Sequence, residues 1–288
     1  MGKWMDGYLE RLAEVRQANL LGGGQSRIDR VHQAGKLTAR ERIARLVDEG
    51  SFEEMGSLVQ DSRPPLDGHL RPSPSDGIIM GFARVDGRPV MLYAFDFTVM
   101  SGSLGDQAAW KLADLMEMAG QRNMPIIGMI DSAGERLSFK GGDVGLNGLA
   151  RLLRNYSLYA GVVPRITLLL GPCTGVLATL PVLSDFLIVN EATGFLWLGG
   201  AIESDDAGSA EFHMEKSGQC DMVAASDEDA IDNTKELLSF LPLSCWSEAP
   251  WVETGDDPRR RAAELLDIMP DNPKFTYDIH EIIDKIVD

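Results

Sequence analysis

The sequence predicts an α/β protein with a mostly parallel sheet, and three observations predict it. Short apolar runs alternate with stretches whose apolar residues recur at helical spacing. Strand-like runs end in glycine-containing corners that lead into helices. Ile78 to Val85 and Val90 to Phe97 flank the tight turn Asp86-Gly87, a hairpin signal. Alternation of this kind builds strand–helix–strand units with parallel strands.

Taken in order, the first 47 residues read as two helices around the break Gly22-Gly23-Gly24. The second opens near Thr38-Ala39-Arg40-Glu41, where Thr38 and Glu41 have capping-box spacing. Residues 60–75, with four prolines and His69, read as an irregular loop, and the hairpin follows. Ser101-Gly102-Ser103-Leu104-Gly105 leads into a helix through Ala108, Leu112, Leu115, Met116 and Ala119. Pro125 to Ile130 is a buried strand ending in Asp131-Ser132-Ala133-Gly134. A glycine-rich loop over 141–148 precedes a helix from Leu149 to Ala160. Arg165 to Leu170, Phe186 to Val189, Gly194 to Leu198 and Cys220 to Ala224 read as further strands. Helices are expected over Ser209 to Ser217, Glu228 to Leu241, Asp256 to Ile268 and Tyr277 to Val287. This divides the chain into a basic helical segment (1–59), an α/β core (60–245) and a helical tail (246–288).

Composition narrows the class. With 288 residues, 44% of them hydrophobic, the chain can bury a large core. It has no apolar run long enough for a membrane span and no signal-like start at Met1-Gly2-Lys3-Trp4, so the cytoplasm is the expected location. Three cysteines, Cys173, Cys220 and Cys245, form no Cys-x-x-Cys pair, so no disulfide framework or metal ribbon is expected. Net charge of −17 argues against a nucleic-acid surface. The charge is uneven: residues 1–45 carry +4 and the remainder −21. A basic segment of that kind suits either a small polyanion or a solvated helix face. No Gly-x-Gly-x-x-Gly follows the first strand, and Gly35-Lys36 lacks the rest of a phosphate loop.

The sharpest chemical signal is Gly171-Pro172-Cys173-Thr174-Gly175-Val176-Leu177-Ala178, after the strand Arg165 to Leu170 and before a segment of helical period. A strand that opens through glycine into a helix aims unpaired amides, and the positive end of a helix dipole, into one small space. That geometry suits an oxyanion; a purely steric turn is the other reading. Cys173 is either a nucleophile or a small buried residue at a strand end. No histidine has an obvious catalytic spacing, and His213 reads as structural.

Several blocks together resemble the carboxyltransferase component of biotin-dependent acyl-CoA carboxylases and the related acyl-CoA decarboxylases. They are Gly35 to Ile43, Asp96-Phe97-Thr98-Val99 with Gly102 to Gly105, Asp131 to Gly134, Gly161-Val162-Val163-Pro164, the Gly-Pro-Cys corner, Glu215-Lys216-Ser217-Gly218, and Tyr277-Asp278. They match the N-terminal half of that family in its order. The resemblance implies a crotonase-like ββα spiral for the core. It implies a thioester enolate held by the backbone amides of Gly175 and Val176, with Ser101, Gly102, Ser103, Leu104, Cys173 and Thr174 shaping the substrate pocket. It also places Arg27, Lys36 and Arg40 as candidates for the CoA phosphates, internal salt bridges being the other reading.

The resemblance further implies carboxyl transfer between carboxybiotin and an acyl-CoA, little being asked of protein acids or bases. Coenzyme A enters as part of the substrate. None of the eight lysines lies in a Met-Lys-Met attachment site, so biotin is expected on another chain. A C-terminal-type carboxyltransferase chain, a biotin carrier, a biotin carboxylase and an oligomer are the implied partners. Two departures stand out. Gly175 is followed by Val176 where the family commonly has a second glycine, and the stretch 201–210 is short. Met100, Leu104, Leu146 and Val176 suggest an apolar acyl pocket. Three competing readings are an acyl-CoA decarboxylase subunit, a hydrolase using the elbow-like Ser101 to Gly105, and a noncatalytic assembly subunit.

Overall fold

The computed structural model describes residues 3–61, 72–136, 146–200, 206–253, 255, 257, 259–272 and 274–287. Three helices open it: α1 (Lys3–Leu20), α2 (Gln25–Gln33) and α3 (Ala39–Leu46). The sequence reading expected two. The extra helix, α2, has only Ile28 and Val31 as apolar residues, too few for a periodic signal. The Gly22-Gly23-Gly24 break has a packing cause: a Cβ on Gly23 would lie 1.8 Å from the Thr98 carbonyl oxygen. The capping box forms as expected, with Thr38 N–H donating to Glu41 Oε2 (2.8 Å) and Glu41 N–H to Thr38 Oγ1 (3.3 Å). A cap of this kind stabilises a helix by about 1 kcal/mol.

The remaining elements, in chain order, are β1 (Glu53–Met55), β2 (Ile78–Val85), β3 (Arg88–Phe95), α4 (Asp106–Arg122), β4 (Ile126–Ile130), α5 (Leu146–Leu158) and β5 (Arg165–Leu169). Then come β6 (Pro172–Thr174), α6 (Thr179–Val182), β7 (Phe186–Asn190), β8 (Phe195–Trp197), α7 (Ala210–Glu215), β9 (Met222–Ala224), α8 (Asp227–Phe240), α9 (Leu265–Ile268) and α10 (Ile279–Ile286). A seven-stranded sheet has the order β1-β2-β3-β4-β5-β7-β9. The β2–β3 hairpin is antiparallel, with Val85 opposite Arg88, and β3, β4, β5, β7 and β9 run parallel.

Alternate residues of the strands feed two cores. Met91, Tyr93 and Phe95 face α4 and α5 through Leu112, Met116, Leu152 and Tyr156. Val90, Leu92 and Ala94 face α3 and α8 through Ile43, Leu46, Ile231 and Leu238. Each fully buried leucine or isoleucine adds roughly 1.5–3 kcal/mol. The chain divides into two units, Met1–Pro250 and Trp251–Asp288, and the basic helices expected as a separate segment belong to the first.

Two expectations are corrected. The strand Arg165 to Leu170 does not open directly into a helix. Pro172 to Thr174 forms β6, which pairs with β8 in a separate two-stranded sheet. A 3-10 turn over Gly175–Ala178 and the four-residue α6 follow. Gly175 at φ +66° breaks helical geometry, and Pro181 lacks the amide that a longer helix needs. The helix expected from Asp256 is confined to α9 among the described residues, since Arg259-Arg260-Arg261 supplies no apolar stripe. Most of the loops expected over 60–75 and 141–148 falls in 62–71 and 137–145, outside the described residues. No helix among the described residues is long and apolar enough to cross a membrane.

Candidate active site

Parallel strands β3, β4 and β5 deliver their C-terminal ends to one edge, and the three segments that follow are laced together by backbone hydrogen bonds. Ala133 N–H donates to Ser101 O (3.0 Å), Leu104 N–H to Gly134 O (2.9 Å) and Ser132 N–H to Pro172 O (2.7 Å). Thr174 Oγ1 donates to Ala133 O at 3.1 Å. Met100 and Ser101 are held at φ +51° and +56°. Left-handed backbone at non-glycine residues is strained, and such strain gathers at functional sites.

Two buried charge clusters hold this edge from behind. Arg42, 1% exposed, donates through Nη1 to Asp131 (3.1 Å), through Nε to Asp227 (2.8 Å) and through Nη2 to Leu170 O (3.2 Å). Lys36 Nζ reaches Asp131 Oδ2 at 2.6 Å, and Asn190 Nδ2 donates to Asp227 at 2.9 Å. Two cations and two carboxylates thus neutralise one another in a dry space, the condition under which buried charge is tolerated. In the second cluster Arg136 pairs with Asp76 and with Asp61, and also donates to Ser103 O at 2.8 Å. Burial pushes the Asp76 carboxyl above its ordinary range, although Arg136 opposes this.

At the centre of the edge lies the Gly175–Val176 corner. The Val176 amide donates to the carboxylate of Glu135, and Val176 itself is 40% exposed. Gly175 gives the carboxylate room: a Cβ there would lie 2.3 Å from Glu135 Oε2. The corner therefore already carries a carboxylate oxygen on one of the two amides expected to hold an oxyanion. Cys173 is 0% exposed, and burial, with the Glu135 charge second, holds its thiol well above its ordinary range. It is a small buried residue and not a thiolate nucleophile.

The other expected residues sort by geometry. Arg27, Arg30, Lys36, Phe97, Met100 and Ser101 line one cavity of about 380 Å³. Hydrogen bonds from Ala133 N–H to Ser101 O and from Thr174 Oγ1 to Ala133 O link the cavity wall to the segment that carries Gly175. Arg27 Nη1 donates to Thr98 O at 2.9 Å, leaving most of its guanidinium donors for a ligand. Lys36 is committed to Asp131. Arg40 lies apart from this cavity, in a bidentate pair with Glu54 at 2.9 and 3.2 Å. Leu104 is fully buried in the core and does not face open space, which corrects its place in the acyl pocket. The Leu146 side chain lies outside the described residues. Ser103 Oγ donates to Met100 O (2.7 Å) and accepts from Arg136 Nε (3.2 Å), and among the described residues it has no histidine partner of the kind a hydrolase needs. His213 is structural: its ring nitrogens meet Leu196 O (3.1 Å) and Ser217 Oγ (2.9 Å).

Sequence reasoning missed Glu135, Arg42, Asp227 and Arg136. The available signal for Glu135 was a lone acid directly after the glycine that ends the Asp131-Ser132-Ala133-Gly134 corner. The buried cluster had no local signal, since Arg42 and Asp227 are 185 residues apart.

Comparison with known proteins adds the following. A family model described as a carboxyl transferase domain matches residues 30–288. The chain is 36% identical over 294 residues to a propionyl-CoA carboxylase carboxyltransferase subunit of Haloferax mediterranei, covering 99% of this chain and 57% of that one. It is 36% identical over 290 residues to the alpha subunit of methylmalonyl-CoA decarboxylase from Propionigenium modestum, covering 97% of this chain and 56% of that one. The chain thus spans about half the length of the curated relatives it matches. Among solved structures, transcarboxylase 12S, a hexamer with methylmalonyl-CoA bound, superposes with a TM-score of 0.88 at 35% identity over 100% of this chain and 58% of that one. The fold is the crotonase-like α/β architecture of these neighbours.

Proposed function

The chain belongs to the carboxyl transferase domain family, and from that premise we propose that it is the acyl-CoA-binding half of a carboxyltransferase. In this reading the thioester oxygen sits on the amides of Gly175 and Val176, and the α-carbon, or its vinylogous equivalent, is the site of carboxyl transfer. The observation that carries it is the Val176 amide bound to a carboxylate at a solvent-open corner, linked through the Ser101–Ala133–Thr174 hydrogen bonds to a segment that lines a cavity with Arg27 and Arg30. Each amide aimed at a developing enolate oxygen contributes roughly 3 kcal/mol, about a hundredfold in rate.

This chain's residues have three tasks. Gly175 keeps the approach clear of side-chain atoms. Arg27 and Arg30 attract the CoA phosphates by charge-assisted hydrogen bonds. Lys36 and Arg40, committed to Asp131 and Glu54, fix the supporting segment instead of the ligand. When bound, carboxybiotin supplies the carboxyl group; it is assigned to another chain, and no residue described here is assigned to hold it. A C-terminal-type carboxyltransferase chain, a biotin carrier and carboxylase, an oligomeric assembly and a cytoplasmic location complete the reading. The same corner serves an acyl-CoA decarboxylase subunit equally well, and the similarity to the methylmalonyl-CoA decarboxylase alpha subunit favours that as the second reading.

Calorimetry with a panel of CoA thioesters, on the chain alone and with any chain that co-purifies, tests the proposal. Binding of an acyl-CoA that weakens on Arg27→Ala supports it. Failure of every thioester to bind in both preparations leaves a noncatalytic assembly role.

A further inference from the structure

We propose that Glu135 is a catalytic proton-transfer residue of this site, exchanging the α-hydrogen of a bound acyl-CoA without biotin; the inference rests on the thioester reading above. The Val176 amide is its hydrogen-bond partner, and no cation pairs with it among the described residues. Among the described residues that amide is the carboxylate's one hydrogen-bond partner, so the partly buried carboxylate is free to move. Its backbone is not: Leu104 and Glu135 form a parallel bridge, Arg136 N–H donates to Leu104 O (2.9 Å), and Leu104 N–H donates to Gly134 O (2.9 Å).

One amide N–H gives a single well-aligned hydrogen bond, so two oxygens compete for it. When the thioester oxygen takes the Val176 N–H, the carboxylate is displaced by about one hydrogen-bond length, roughly 3 Å. Its backbone tether keeps it at the corner. The α-carbon is two bonds from the thioester oxygen, so the displaced carboxylate stands beside the α-hydrogen. Among the described residues the histidines are engaged elsewhere: His32 with Glu41, His213 with Ser217 and Leu196, His280 with Asp278.

In the step, a Glu135 oxygen forms an O–H bond as the α C–H bond breaks, and that electron pair moves into the C–C–O system. The resulting enolate oxygen takes the Val176 N–H. Reversal returns a proton from the carboxyl group, which has exchanged with solvent, and nothing is oxidised or reduced. Gly175 has a defined part, since a side chain there would meet the Glu135 carboxylate. The leaving and entering anions share one donor, so the free site keeps its amide satisfied at no cost in structure.

The experiment is deuterium incorporation into propionyl-CoA and butyryl-CoA in D2O, followed by mass spectrometry, with the full chain alone and with its co-purifying chain. Wild type is expected to label the α-carbon. Glu135→Gln is expected to bind propionyl-CoA at least as tightly, having lost a competing charge, while exchange falls about a hundredfold or more. Glu135→Asp, one methylene shorter, retains part of the exchange and serves if the glutamine variant does not fold. Binding without exchange, or exchange at the wild-type rate in the glutamine variant, overturns the assignment while leaving the thioester reading intact. Failure of wild type to bind these or any other thioester of the panel overturns both.

Discussion

Two glycines four residues apart separate the fold from the chemistry. A Cβ on Gly171 would lie 2.0 Å from Asp131 Oδ1 and 2.9 Å from Lys36 Nζ. Asp131 is 1% exposed and tied to both Lys36 and Arg42, so it cannot yield without breaking a buried ion pair. Gly171→Ala should therefore cost about 3–5 kcal/mol. Gly175→Ala meets a different neighbour. Its Cβ would collide with the far end of the Glu135 side chain, which can swing away, leaving the left-handed backbone at φ +66° as the main cost. That is about 1–2 kcal/mol. At about 2–4 °C per kcal/mol for a chain of this size class, the Gly171 variant should melt about 10 °C lower and the Gly175 variant a few degrees lower. Enolisation of a bound acyl-CoA should behave in reverse, falling about a hundredfold in Gly175→Ala. Differential scanning calorimetry beside the D2O exchange assay reads both. Equal melting temperatures for the two variants, or undiminished exchange in Gly175→Ala, would refute the reasoning.

Further outcomes follow from the same geometry. Arg42→Met leaves Asp131 to Lys36 alone and Asp227 without its cation, and should destabilise the chain by about 3–5 kcal/mol, with Arg42→Met/Asp227→Asn recovering part of the loss in thermal unfolding. Lys111, 6% exposed, donates to Ser75 O and Ile78 O, each at 2.7 Å, yet burial lowers its pKa from 10.5 to about 8. A depressed folded-state pKa means stability complete above the unfolded pKa and lost as pH falls through the folded one. Wild type should thus gain roughly 3 kcal/mol relative to Lys111→Met between pH 8 and 10.5, measured by denaturant titration at several pH values. Arg27→Ala and Arg30→Ala should each weaken binding of free CoA about three- to tenfold at low salt, the difference shrinking as ionic strength rises; titration calorimetry at two salt concentrations checks this.

Much of the fold was legible because its signals are local. The hairpin over residues 78–95 shows in its Asp-Gly turn, α4 in its periodic apolar face, and α3 in its Thr38/Glu41 cap. The Gly175 corner was legible as a glycine between a strand and an apolar segment. What followed it was misread, because the apolar spacing from Val176 is helical while Gly175 and Pro181 allow only a 3-10 turn and one α turn. The roles of the basic residues were not legible at all. Whether Lys36 meets a phosphate or Asp131 depends on a partner 95 residues away. Glu135 was hidden for a similar reason: its significance lies in an amide 41 residues later, brought to it by the parallel register of β4 and β5.

The central claim is that the Val176 amide is the donor for a thioester oxygen. The most direct measurement is the Val176 1H–15N resonance of the labelled chain, titrated with propionyl-CoA and, separately, with free CoA. Exchange of a carboxylate for a thioester oxygen should shift that resonance with propionyl-CoA and leave it nearly unmoved with free CoA, while residues around Arg27 respond to both. A Val176 resonance that stays in place while propionyl-CoA saturates the chain would contradict the account.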